Sequence, residues 1–260
     1  MPICYNFIKK LKMDKKIVSL LKNGIKKNEF LKYFKDYKGF NIDEVIDILV
    51  FQGLPLIIKD SKVFLKTALL PYKSCEYCVV DIEVNNSKQS IGQVIEIGAV
   101  KIKNLEIVDT FDFLIYADKV PIFVERVTGI NQDMLKNKAS QKEILKKFRL
   151  FLGDSVFVAH AADFDYNFLS YQFKKENLGE LLNRCLCTLT LSQKTLKANR
   201  YGLKYLMEEL SLPKEMHHRA LGDAKTTGRV FLLSLQNLPK EIKTAEDLIE
   251  FATPTKKKKK

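Results

Sequence analysis

A chain of 260 residues, 46% of them hydrophobic, has the apolar material for one substantial core and an appendage, which excludes a disordered or fibrous protein. The net charge is +13, but residues 1–75 hold fifteen lysines against seven acidic residues and residues 256–260 are all lysine, so the remainder sums to zero. No apolar run reaches the length of a membrane span. Lys9, Lys10 and Lys12 follow only a short apolar patch with no small-residue cleavage site, so a cytoplasmic protein starting at Met1 or Met13 is expected.

Residues 1–72 form the first expected unit. Apolar residues recur at helical spacing over Lys15–Leu21, Glu29–Phe34 and Ile42–Phe51, with Asn41 a fair N-cap for the third helix. Leu54–Ile58 and Val63–Thr67 flank the turn-forming Lys59-Asp60-Ser61-Lys62 and read as a β-hairpin. Three short helices followed by a hairpin outline a winged helix, a module that serves DNA binding and protein contacts alike. The basic charge of this unit suits nucleic acid, and a lysine-rich composition accounts for it equally.

Residues 73–238 change to alternating strands and helices, the pattern of an α/β domain. Tyr77–Val84 reads as the first strand. Val94–Ile102 and Ile107–Ile115 read as two longer antiparallel strands joined near Lys103-Asn104. A helix over Gln141–Leu152, a buried strand over Val156–Ala159 and a helix over Asp163–Lys175 follow, with Asp163 the expected N-cap. A short strand near Cys187 precedes helices at Leu203–Leu210 and Ala220–Leu235. Residues 239–260 supply a final amphipathic stretch, Thr244–Phe251, and a lysine tail too like-charged to fold. Four cysteines form close pairs, Cys75/Cys78 and Cys185/Cys187. They close a structural zinc site only if the pairs meet in space, and burial beside strands is the commoner outcome.

Acidic residues interrupt the apolar segments at a few places. In Val79-Val80-Asp81-Ile82-Glu83-Val84, the strand period of two sends both carboxylates to one face, where they repel unless a cation lies between them. Asp165 stands where the strand ending near His160 turns into a helix. His218 and Asp223, five residues apart across a loop-to-helix transition, can point into the same site. Four acids suit a pair of hard divalent cations, Mg²⁺ or Mn²⁺, which clamp phosphoryl transfer when roughly 3.5–4 Å apart. A neutral histidine, here His218, is the side chain matched to deprotonating a water near pH 7. Each fragment alone has a structural explanation: an edge-strand device, a packed core histidine at His160, a helix salt bridge at Asp223.

Their order resembles the DEDDh 3′→5′ exonuclease superfamily, most closely the branch of the proofreading ε subunit of bacterial DNA polymerase III. The resemblance runs from about Val79 to Leu235. Its first motif is matched by Val80-Asp81-Ile82-Glu83, its second by His160-x-x-x-Phe164-Asp165-x-x-Phe168-Leu169, and its third by His218-Arg-Ala-Leu-Gly-Asp223. Val94-Ile-Glu-Ile-Gly-Ala-Val, Val127-Thr-Gly-Ile130, Cys187-Thr-Leu and Gly202-Leu-Lys-Tyr-Leu fall between them in order. The resemblance implies an RNase H-like mixed five-stranded sheet flanked by helices. It implies Asp81, Glu83, Asp165 and Asp223 as ligands of two metal ions, His218 as general base, and release of nucleoside 5′-monophosphates. It further sets Val84, Asn85, Thr128, Ile130, His160, Phe164 and Phe168 against the substrate.

Two departures stand out. Val84-Asn85-Asn86 replaces the family's usual Thr-Thr-Gly, and Ala161 follows His160 where asparagine is usual, so tuned rather than lost activity is expected. His217 has no counterpart and reads as a solvent-facing neighbour. The expected partner is DNA with a free 3′ end, in proofreading or repair, with a DNA polymerase subunit as a further candidate. RNA trimming is the second reading, and a fold-retaining binding protein without turnover the third.

Overall fold

The computed structural model describes residues 15–37, 39–213 and 218–254, so Met1, Met13, His217 and the lysine tail lie outside the described residues. The N-terminal segment builds α1 (Lys15–Asn23), β1 (Ile25–Lys26), α2 (Lys27–Phe30), α3 (Ile42–Phe51), β2 (Leu56–Lys59), β3 (Lys62–Leu65) and α4 (Lys66–Leu69). Asn41 caps α3 as expected: its side chain accepts from the backbone N–H groups of Asp43 and Glu44, and Glu44 accepts in return from Asn41 N–H. The β2–β3 turn places Asp60 and Ser61 at positive φ, the geometry that matches the twist of a tight hairpin. The helix expected over Glu29–Phe34 is shorter, ending at Phe30 and continuing as a 3₁₀ turn over Leu31–Tyr33. β1 was not anticipated, because two residues carry no periodicity. It completes a three-stranded sheet of order β1-β3-β2, and with it the connectivity of a winged helix.

The second segment builds β4 (Tyr77–Val84), β5 (Val94–Lys103), β6 (Glu106–Leu114), α5 (Ile122–Thr128), α6 (Gln132–Leu135), α7 (Gln141–Leu152), β7 (Val156–Ala159), α8 (Asp163–Lys175), β8 (Cys185–Cys187), α9 (Thr188–Thr195), α10 (Leu203–Glu209), α11 (Ala220–Leu235) and α12 (Ala245–Phe251). The strands form a mixed five-stranded sheet of order β6-β5-β4-β7-β8. β4 pairs antiparallel with β5 and parallel with β7, and β7 is parallel to β8. Alternation along β4 divides the core in two. Cys78, Val80 and Ile82 pack with Phe148 of α7 and Phe168 and Phe173 of α8, whereas Tyr77 and Val79 pack with Phe231 of α11 and Leu248 of α12. Asp163 is not the N-cap of α8. Ala162 holds that position without a side-chain bond, and Asp163 is the first helical residue.

The pairing of β4 with β7 stops at Val79↔Val158, so the last residues of β4 have no neighbour on that side. This leaves an opening at the carboxyl end of the sheet, where ligands of parallel α/β sheets are commonly held.

The N-terminal segment docks at the amino end of the sheet. Gln52 O accepts from Leu182 N–H (2.8 Å) and from Arg149 Nη1 (3.0 Å), and Lys66 pairs with Asp154 at 3.1 Å. Gly53 lies at φ +97, where a Cβ would stand 2.0 Å from Asn183 Oδ1. The C-terminal segment ties the two parts together. α12 packs into the core that also holds α11, Ala245 N–H donates to Leu70 O, and the fully buried Glu246 accepts from Thr67 Oγ1 and from both Arg184 Nε and Nη2.

Removing one partner of a buried pair leaves the other charge without compensation, so Glu246→Ala is expected to cost about 3–5 kcal/mol in urea unfolding. Glu250→Ala, which removes only the exposed pair with Lys22, is expected to cost about 0–1 kcal/mol. Equal effects of the two substitutions would contradict the clamp.

Candidate active site

Asp81 and Glu83 continue the Tyr77–Val79 side of β4 and so face α11. How closely α11 approaches is decided by β5. Gly98 lies opposite Asp81 in the ladder, and a Cβ there would be 2.0 Å from Leu221 N and 2.1 Å from the carbonyl carbon of Ala220. Only a hydrogen at this position lets the first turn of α11 rest on the strand.

Glu96, opposite Glu83 and fully buried, then holds that turn in place. It accepts from Arg219 Nε (2.9 Å), Arg219 Nη2 (2.7 Å) and the backbone N–H of Ala220 (2.8 Å), so it meets an N–H group that helix geometry leaves without a partner. Asp223 in the same helix accepts from the backbone N–H of His218 at 3.1 Å. His218 has φ +57, a left-handed kink immediately before the helix. As a result the ligand atoms of Glu83, His218 and Asp223 lie within 4.8 Å of one another. Asp165 is buried in the first turn of α8, with its carboxyl near the backbone of Ile82 in β4.

The electrostatics follow from crowding acids where water is scarce. Burial first, then the charges of Asp165, Asp223, Glu83 and Glu96, pushes the Asp81 carboxyl well above its usual range. Glu83 rises to about 8 through burial and then the charges of Glu96, Asp223 and Asp165, with Arg219 pulling it down. Burial raises Asp165 to about 7 against its backbone hydrogen bonds. The nearby guanidinium of Arg219 is already bonded to Glu96. A divalent cation fits this donor set, because hard oxygen ligands of excess negative charge are what such an ion requires. Glu83, His218 and Asp223 bring ligand atoms close enough together to hold it, and Asp81 and Asp165 stand near enough for their charges to be felt there.

The other anticipated contact residues separate into two groups. Val84 and Asn85 are partly exposed at the end of β4, and Asn85 bridges Gln93 N–H and Lys119 O. Phe164 is exposed at the start of α8, its ring centroid 5.7 Å from that of Phe168. The rest support from within. Phe168 and Ile130 are fully buried, and Thr128 Oγ1 donates to Val124 O and accepts from Ile130 N–H. His160 uses both ring nitrogens, Nδ1 with Thr188 Oγ1 at 3.0 Å and Nε2 with Tyr201 O at 2.8 Å, and burial lowers its pKa. Ala161 stands at φ +61, a conformation that asparagine tolerates better than alanine.

Sequence reasoning gave no role to Glu96, Gly98 or Arg219, although an acid and a glycine inside an otherwise apolar strand are a visible signal. It also missed α5, whose Ile122, Phe123 and Val127 face solvent. The zinc alternative meets a geometric obstacle. Cys75 packs in the core on the α11 side, while Cys78, Cys185 and Cys187 belong to the opposite face, so the four sulfurs do not converge.

Comparison with known proteins supplies independent findings. A family model described as "Exonuclease" (RNase_T) matches residues 78–231. DNA polymerase III PolC-type from Thermotoga petrophila is 36% identical over 188 residues, covering 69% of this chain and 14% of that protein. Its counterpart from Thermotoga maritima is 37% identical over 183 residues, covering 67% and 13%. This chain therefore spans about one seventh of the length of these curated relatives. Among solved structures, Exonuclease X in complex with 5′-overhanging duplex DNA aligns with a TM-score of 0.51 at 20% identity over 68% of this chain and 99% of that one. E. coli Exonuclease I in complex with a dT13 oligonucleotide aligns with a TM-score of 0.57 at 13% identity over 63% and 42%. At such identities the structural likeness speaks for the fold.

Groups whose pKa is raised on folding hold protons that the unfolded chain releases. In chelator, the stability they contribute is full below about 4.5, the ordinary glutamate value, and is lost as the pH rises through about 8. The melting temperature in chelator is therefore expected to fall across this window, and the stabilisation by Mn²⁺ to grow across it. The Asp81→Asn/Glu83→Gln double variant should flatten both trends. A stabilisation by Mn²⁺ independent of pH would contradict the assignment. Gly98→Ala, by lifting α11 and Asp223 away from β4, is expected to remove most of the stabilisation by Mn²⁺ while the protein still unfolds cooperatively.

Proposed function

The chain belongs to the RNase_T exonuclease family, and on that premise we propose that it hydrolyses phosphodiester bonds from the 3′ end of DNA, releasing nucleoside 5′-monophosphates. The observation that supports this reading is that the ligand atoms of Glu83, His218 and Asp223 lie within 4.8 Å of one another, with the charges of Asp165, Asp223 and Glu83 acting on Asp81 beside them.

Each group has a task that its surroundings suit. The four carboxylates present hard, crowded oxygens, and divalent cations bound there supply charge neutralisation at the phosphoryl oxygens and a more acidic water. His218 is exposed beside Glu83 and Asp223, within reach of a water approaching from solvent, and accepts its proton as general base. Two ions and this histidine make the site of the DEDDh type. The strand end is held by apolar surface: Ile122 and Phe123, 69% and 64% exposed, and Val127 on α5, with Phe164 on α8, offer faces on which bases stack without regard to sequence. α5 follows the Lys119 segment that Asn85 holds against β4, which keeps this surface beside the site.

DNA is favoured as the substrate because the curated relatives are DNA polymerases, and proofreading or repair is the matching role. A polymerase subunit is the partner proposed on the same ground. No helix among the described residues is long and apolar enough to cross a membrane, which is compatible with the cytoplasmic site of such a role.

The test uses 5′-labelled single-stranded DNA, mismatched duplex and RNA of one sequence, each with Mg²⁺, Mn²⁺ or chelator. A ladder shortening from the 3′ end, present only with metal and faster on DNA, is expected. Faster cleavage of RNA would transfer the proposal to RNA trimming, and no cleavage of any of them would overturn it. His218→Ala is expected to lower kcat by about 10²–10⁴. Asp81→Ala should lower it at least as far, and undiminished cleavage by the latter would remove the carboxylates from the chemistry.

A further inference from the structure

The winged helix meets the nuclease at the amino end of the sheet, whereas Asp81 and Glu83 lie four and six residues along β4 from Tyr77, about 13 and 20 Å at the rise of a strand. A module so placed does not extend the catalytic cleft. Its α3, the helix that in this fold reads a DNA groove, displays Asp43, Glu44 and Asp47 on its solvent side, charge of the wrong sign for phosphate.

At the end of α3 a cavity of about 270 Å³ opens against α7 and α8, between Phe51, Lys146, Arg149, Leu150, Phe173 and Leu178. Two of its walls are conspicuous. Phe51 is 59% and Leu150 74% exposed, so two large apolar side chains from different parts of the chain stand in water around one cavity.

Its floor is a cation lacking counter-charge. Arg149 is 4% exposed, with its guanidinium 4.2 Å over the Phe173 ring. It donates to Gln52 O and Leu178 O, but its buried Nε finds no acceptor and no carboxylate pairs with it among the described residues. Burial pulls its pKa down to about 10. A buried guanidinium in this condition gains more from a carboxylate than an exposed one does. Lys142 and Lys146, exposed two turns and one turn before Leu150 on α7, line the approach with further positive charge.

We propose that this cavity is the docking site for a peptide segment of a protein partner, one that carries an acidic side chain next to a leucine or phenylalanine. The apolar side chain packs between Phe51 and Leu150, and the carboxylate lies against Arg149 with Lys146 beside it. A polynucleotide fits less well, because its charge would meet the acidic face of α3 and its backbone has no apolar group to fill the cavity.

The full chain is titrated into fluorescein-labelled Asp-Asp-Asp-Leu-Phe, with Lys-Lys-Lys-Leu-Phe and a labelled DNA duplex as controls, and anisotropy is read. Saturable binding of the acidic peptide alone is expected. Leu150→Glu and Lys146→Glu should each weaken it by about tenfold or more, the loss typical of a residue central to an interface. Both side chains are exposed, so the variants should keep the wild-type melting temperature and the wild-type rate on a short oligonucleotide. No saturation by the acidic peptide, equal binding by the variants, equal binding of the lysine peptide, or displacement of the peptide by the duplex would each overturn the proposal.

Discussion

Carboxylates on neighbouring strands and helices cannot all be ionised in a poorly hydrated space, and the structure around β4 depends on how that repulsion is met. Asp81, Glu83, Asp165 and Asp223 share one opening, with Glu96 buried behind them. Glu96 is neutralised internally: Arg219 takes its charge and Ala220 N–H its remaining valence. No cationic side chain is bonded to Asp81, Glu83 or Asp165 among the described residues, and burial with mutual repulsion raises all three carboxyl pKa values, which a cation would relieve.

The backbone details that look incidental serve this arrangement. Gly98 admits α11 to the strand, the early end of β7 admits α8, and the left-handed residues Ala161 and His218 turn the chain into those two helices. Strain at two non-glycine positions beside one site is the usual accompaniment of a fixed functional geometry. The change from asparagine to alanine at 161 acts in this light on the turn, since His160, the residue before it, is already fully engaged by Thr188 and Tyr201.

The sheet and its main helices could be read in advance because their burial follows simple periods. β4 alternates between two cores, and α7 buries Gln141, Ile144, Leu145, Phe148, Arg149 and Leu152 at helical spacing. Where burial does not follow hydrophobicity, sequence reading failed. α9 buries Thr188, Thr190, Leu191 and Ser192, and α5 exposes its large apolar residues, so neither shows an amphipathic pattern. Asp81, Glu83, Asp165 and Asp223 stood out in the sequence because acids within apolar runs need a reason. Glu96 gave the same signal, but its partner Arg219 lies 123 positions away and only the fold brings them together. The packing of α12 was less visible for a related reason: it completes a core whose other members are remote in sequence, and its Glu246 accepts from Thr67 of the N-terminal segment.

The central claim, that the acidic cluster binds divalent cations in exchange for protons, is tested most directly by calorimetric titration with Mn²⁺ near pH 7 in two buffers of different ionisation enthalpy. Glu83, held at about 8, and Asp81, held higher than its ordinary value, must release protons when the ions enter. The heats are therefore predicted to differ between buffers by the equivalent of about one proton or more per protein. Mn²⁺ binding with the same heat in both buffers, or binding retained in full by the Asp81→Asn variant, would contradict the account.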